Sequence, residues 1–174
     1  MSLRDFIPSD SAAMAVDDRG PKPPKPAKKK SWPQRRAYLR AWERCAARMG
    51  WGKADAARRK ALRADVLEVL GEPPKDFDDL TTVEFGVVLW VLNEMAAGRL
   101  PSVEAILDRK VVEKRQNLLW RINKLMDAYG RPRAWAVLRD RFEIVLIEEL
   151  NAADLETLEQ VRSTLTARTY ERKA

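Results

Sequence analysis

The chain predicts an all-α fold of about six helices, arranged as two diverged three-helix units behind a disordered basic N-terminal arm. Two observations carry that expectation. The first is a pattern that occurs twice, Asp79-Leu80-Thr81-Thr82-Val83-Glu84-Phe85 and Glu149-Leu150-Asn151-Ala152-Ala153-Asp154-Leu155. In each copy an acid and a Leu precede a side-chain acceptor, an acid follows three residues on, and an apolar residue comes next. Thr81 or Asn151 as N-cap accepts a hydrogen bond from an otherwise unpaired N–H of the first turn, and Glu84 reaches back to complete a capping box. Leu80 with Phe85, and Leu150 with Leu155, have the spacing of a hydrophobic staple. The second observation is a match further upstream. Tyr38, Leu39, Trp42, Cys45, Ala46, Met49 and Gly50 lie over Leu118, Leu119, Ile122, Leu125, Met126, Tyr129 and Gly130. Both segments are amphipathic and end at a Gly, as a repeated unit requires. Chance similarity between amphipathic helices is the competing explanation, because helical periodicity makes such matches easy.

The expected division is an arm over residues 1–30, a first unit over 31–98, and a connector with a second unit over 99–174. In the arm, Asp5, Asp10, Asp17 and Asp18 come first; Arg19, Lys22, Lys25, Lys28, Lys29 and Lys30 follow with no acid among them. Few large apolar residues are present to offset the entropy of ordering, and the prolines at 21, 23, 24 and 26 favour an extended chain. Such an arm can lie along a polyanion or act as a solubilising tail.

Ser31 and Gln34 have capping-box spacing, so a helix should begin near Trp32 with Tyr38, Leu39, Trp42, Cys45, Ala46 and Met49 inward. Arg35, Arg36, Arg40, Arg44 and Arg48 lie off that stripe. After Gly50-Trp51-Gly52 a second helix should run to about Leu70. It buries Ala54, Ala57, Ala61, Leu62, Val66, Val69 and Leu70 and keeps Arg58, Arg59, Lys60 and Arg63 outside. Gly71 suits its end and Pro73-Pro74 blocks continuation.

The run from Phe85 to Leu92 is apolar on all sides and would also suit a buried strand. The cap before it and Asn93-Glu94-Met95 after it decide for a central helix. Pro101 opens a connector with Val103, Ile106 and Leu107 on the core. A long helix to Tyr129 follows, burying Val111, Val112, Leu118, Leu119, Ile122, Leu125 and Met126. Pro132 starts a short fifth helix that buries Trp135, Leu138 and Phe142. Residues 144–147 are the one strand-like stretch. The last helix follows Asn151, turns Leu155, Leu158, Val161 and Leu165 inward, and frays from Thr169.

Composition narrows the chemistry. Net charge is +7, and hydrophobic residues make up 45% of the chain. His is absent and the single Cys45 sits among apolar helix positions, which removes the usual hydrolase bases and nucleophiles and the commonest zinc ligand. No Gly-rich phosphate loop appears. A lone Cys and no secretory segment point to a reducing cytoplasm, and no apolar run approaches the ~20 residues of a membrane helix. No cofactor is expected, and the chain reads as a non-enzyme. Asp76, Asp78 and Asp79 could suggest a magnesium site, yet acids before a helix start are favoured by its dipole without any ligand. Of the six Trp residues, Trp42, Trp90, Trp120 and Trp135 read as core. Trp32 and Trp51, near Lys30 and Lys53, are the candidates for contact with a nucleic acid or a protein.

The repeated unit resembles a phage family, that of the Mu-type early regulatory protein GemA. The residues that carry the likeness are Leu119-Trp120-Arg121-Ile122, the run from Met126 to Ala136, Arg141-Phe142, and the capped Glu149 to Leu155. The first copy is similar through Met49-Gly50-Trp51, the Leu70-Gly71 turn, and Asp79-Leu80-Thr81 with Glu84. The resemblance implies a non-enzymatic regulator of host DNA transactions with DNA gyrase as a proposed target, and it brings no catalytic residues. The basic arm is an addition to the family pattern. From the residues themselves the expected partner is DNA, held non-specifically through Lys22, Lys25, Lys28, Lys29, Lys30, Arg35, Arg36, Arg40, Arg44, Arg58, Arg59, Lys60 and Arg63. The alternative is a protein-binding modulator whose basic arm is incidental.

Overall fold

The computed structural model describes residues 30–171. The arm at 1–29, with Lys22, Lys25, Lys28 and Lys29, lies outside the described residues, as does 172–174. The fold is all-α: α1 Trp32–Met49, α2 Ala56–Val69, a 3-10 turn Phe77–Asp79, α3 Thr82–Ala96, α4 Val103–Tyr129, α5 Arg131–Phe142, α6 Ile147–Ala152 and α7 Leu155–Glu171. Among the described residues there is no strand, and no helix is long and apolar enough to cross a membrane.

Helix α1 begins at Ser31, whose N–H donates to Gln34 Oε1 at 2.9 Å, and ends at Gly50 in the left-handed conformation. It buries Tyr38, Ala41, Trp42, Cys45 and Ala46; Leu39 and Met49, expected inside, are exposed because the buried stripe centres on Ala41 and Cys45. Helix α2 starts at Asp55, which accepts from the N–H of Arg58 at 2.8 Å. Its inner face is Arg63, Val66 and Leu67, followed by Leu70, whereas Ala54, Ala57 and Ala61 face water. The placement of Arg63 on the outer face is therefore overturned. Only 7% exposed, it donates to the Lys75 carbonyl at 3.0 Å beside Tyr38, a partner that makes burial of its charge tolerable.

The start of α3 has the expected capping box. Thr81 Oγ1 accepts from the N–H of Glu84 at 3.2 Å, and Glu84 Oε2 accepts from the N–H of Thr81 at 2.7 Å. Leu80 and Phe85 are both buried, as a staple requires. The apolar run at 85–92 is helical and packs against α1, α2 and α4, which explains apolar residues on every side. Gly86 within it has a steric role. A Cβ there would run into the Glu113 carboxylate of α4, which pairs with Arg109 under the Trp90 ring.

The expected connector after Pro101 is helix from Val103 on. Ser102 Oγ accepts from the N–H of Ala105 at 3.2 Å, so α4 runs 27 residues, ~40 Å, from Val103. This one helix serves two cores. Ile106 joins the cluster built on α1, α2 and α3, while Leu118, Ile122 and Met126 join a second built on α5, α6 and α7. At about 100° per residue, the first-core side of α4 lies roughly 120–180° from the second-core side. The change of side leaves Val103, Leu107, Val111 and Val112 exposed, contrary to the expected inward stripe.

Beyond Tyr129, α5 buries Ala134 and Leu138, with Trp135 and Phe142 half-buried, and closes at Glu143 in a left-handed conformation. Residues 144–147 are not a strand: Ile144 is buried, and Ile147 opens α6. Asn151 is not an N-cap. The Glu149 carboxylate accepts from the N–H groups of Val145 and Leu146 at 2.7 and 3.0 Å, which starts a short helix early and places Asn151 inside it. Asp154 then caps α7, accepting from the N–H of Thr157 at 2.7 Å. That bond holds its carboxyl below the usual carboxylate range. Leu158, Val161 and Leu165 are buried as expected, and α7 continues through a buried Thr169 to Glu171 instead of fraying there.

The long helices of the first unit run parallel, since α1 meets the start of α3 through Arg35 and Asp78 and its later turns through Arg44 and Asn93. Helix α7 starts beside the middle of α4, where Arg115 donates to the Asn151 carbonyl, and packs along the α4 half that holds Leu118 to Met126.

Candidate nucleic-acid interface

The thirteen basic candidates separate once the fold is formed. Lys30 is held at the body: its N–H donates to Asp78 at 3.2 Å and its ammonium to the Leu80 carbonyl. Arg35 is committed to both oxygens of Asp78, at 2.6 and 2.5 Å. On α2, Arg58 lies 3.6 Å from Asp55 and over the Trp51 ring, Arg59 is half-buried near Tyr38, and Arg63 is buried. Lys60 is exposed but shares a cleft with Asp76 and Asp79. The cations of α2 are therefore largely matched by acids or removed from the surface.

Arg36, Arg40 and Arg44 differ. They recur every four residues on the solvent face of α1, opposite the buried Tyr38, Ala41 and Cys45, and so form a ridge with about 6 Å between steps. Among the described residues none of the three has an ion-pair partner. Arg44 donates to the neutral Asn93 amide at 2.9 Å, which fixes the guanidinium without cancelling its charge. Arg36 stacks 5.1 Å from the centre of the Trp32 ring, itself 67% exposed. Arg40 lies between two shallow grooves, one lined by Trp32, Arg36 and Leu39 and the other by Ala37, Arg44, Leu89 and Asn93; Glu43 is the one acid on both. Arg48, one turn on, extends the row towards Gly98, where its guanidinium packs.

The two Trp candidates part company. Trp32 is free to make contacts. Trp51 stacks on Trp42 at 5.9 Å with Arg58 over its face, so it closes the first core. Trp42 in turn donates through its indole N–H to the Lys53 carbonyl at 2.9 Å. Trp120, expected in the core, is 60% exposed with Lys124 over its ring, and it borders a groove with Gln34, Thr82, Gln116 and Asn117. Its exposure has the same cause as that of Val111: α4 changes sides between residues 106 and 118.

Cys45, Asp76 and Asp78 are each engaged within the fold. Cys45 is fully buried and burial pushes its thiol pKa up, away from the reactive thiolate. Asp78 is held by Arg35, and Asp76 lies 3.9 Å from Arg63. Among the described residues no group of acids or Cys is placed to hold a metal ion. No protein-family model, no curated protein and no solved structure matches the chain.

Proposed function

We propose that this is a non-enzymatic, phage-type regulatory protein that acts on DNA transactions by gripping the phosphate backbone. One observation supports the reading above others: Arg36, Arg40 and Arg44 form a solvent-facing row that makes no ion pair among the described residues. Phosphate contacts made by Arg and Lys dominate non-specific DNA binding, and the sequence joins the arm with Lys22, Lys25, Lys28 and Lys29 to the N-terminal end of α1. Arg35, Arg58 and Arg63 drop out of the contact set because Arg35 and Arg58 each face an acid at the surface and Arg63 is buried. Among the described residues no base-reading element accompanies the row, so binding should be blind to sequence.

A second reading draws on the apolar rim of the same face, Trp32 with Leu39. In it the face holds a DNA-processing enzyme of the host, gyrase being what the GemA resemblance suggests, and the cations steer the encounter. Fluorescence anisotropy with a labelled duplex separates the two. The combined Arg36→Ala, Arg40→Ala and Arg44→Ala variant should lose most of its affinity for every sequence alike. Trp32→Ala should weaken DNA binding little but abolish capture of a protein partner. DNA affinity unchanged by the triple substitution would contradict the first reading.

A further inference from the structure

The half of α4 nearest the chain's first unit carries an apolar edge that nothing in the described residues covers. Leu100, Val103, Leu107 and Val111 are between 42% and 74% exposed, the last three recurring every four residues on one side of the helix. Ile106, which packs on the first core, lies roughly 60–140° round the helix from these three positions. Exposed aliphatic side chains grouped in this way cost free energy that burial would recover.

We propose that a second copy of this chain covers this edge, in an antiparallel two-fold dimer. The pattern is complementary to itself. When two such ridges pack antiparallel, Leu107 of each copy meets Val111 of the other, because the two positions lie equally far on either side of the axis. Residues on one flank meet the same flank of the mate, which sets Glu104 of each copy beside Arg115 of the other. These are opposite charges at both ends of the contact. A parallel arrangement lacks this match, since it brings Glu104 to Glu104 and Arg115 to Arg115.

The full chain, studied by sedimentation equilibrium over micromolar to hundreds of micromolar concentration, should be a dimer. Leu107→Glu should raise the dissociation constant at least roughly tenfold, with far-UV circular dichroism unchanged because the side chain is already exposed. A mixture of Leu107→Cys and Val111→Cys chains should cross-link under mild oxidation far faster than either variant alone, Cys45 being buried. A monomer throughout, a dimer indifferent to Leu107→Glu, or equal cross-linking of the mixture and the separate variants would each overturn the proposal. None of these readouts involves DNA, so the dimer and the DNA-binding reading stand or fall separately.

Discussion

Gly86→Ala should destabilise the protein as it stands and stabilise it once Glu113 is shortened. In an exposed helix interior, Gly to Ala is favourable by about 1 kcal/mol. Here the added Cβ would overlap the Glu113 carboxylate and lie 3.0 Å from its Cγ. That side chain is only 14% exposed and is the charged partner of Arg109, whose Nε already lacks a hydrogen bond. Pushing the carboxylate aside costs the Arg109 pair in a largely dry interface, on the order of 1–3 kcal/mol. The net should be a loss of about 0–2 kcal/mol in the wild-type background. In Glu113→Ala protein the notch is empty, and Gly86→Ala should gain about 1 kcal/mol. The assay is guanidinium denaturation of the four proteins of the cycle, compared at constant m. A coupling energy near zero would refute the packing of α3 on α4 through this residue pair.

The remaining outcomes follow from the helix starts, one core leucine and the half-buried Lys75. Thr81→Ala should cost on the order of 1 kcal/mol by urea titration, and Asp154→Ala should also lower the urea midpoint, while Asn151→Ala should stay within about 0.5 kcal/mol, because Asn151 lies inside α6 and caps nothing. Leu150→Ala, by the same titration, should cost about 2–4 kcal/mol, since Leu150 is fully buried in the second core. Lys75, whose ammonium donates to Glu84 at 2.6 Å and to Glu72 at 3.1 Å, has its pKa raised above 10.5, the Glu84 hydrogen bond being the largest cause. A raised pKa means that its stabilisation is complete below pH 10.5 and is lost as pH climbs through the raised value. The stability gap between wild type and Lys75→Met should therefore close at strongly alkaline pH, as a denaturation series across that range would show.

What could be read from the sequence depended on how local the deciding contacts are. The α3 start was legible because Thr81 and Glu84 satisfy each other within one turn. The basic ridge was legible as spacing, since a period of four survives any tertiary arrangement. The subtraction from it was not: Arg35 is neutralised by a residue 43 positions away, and Arg63 is buried because a carbonyl at Lys75 happens to receive it. Asn151 has the sequence of a cap but loses the role to Asp154, because Glu149 closes a turn earlier. Trp120 and Val111 have apolar identities in a helical pattern, which is why periodicity alone points them inward. Their exposure follows from α4 serving two cores from different sides, a fact of topology with no signature in periodicity.

The claim that the protein holds DNA by its phosphate backbone is tested most directly by the salt dependence of duplex binding. If the ridge and the arm together neutralise about six phosphates, log K against log salt should fall with a slope of roughly −4 to −6. Replacing Arg36, Arg40 and Arg44 by Ala should flatten that slope by about 2–3, at roughly 0.9 for each phosphate no longer neutralised. Replacing Arg35 by Ala should leave it nearly unchanged, because Asp78 already holds that charge. An affinity independent of salt, or a slope that the triple substitution does not alter, would contradict the account.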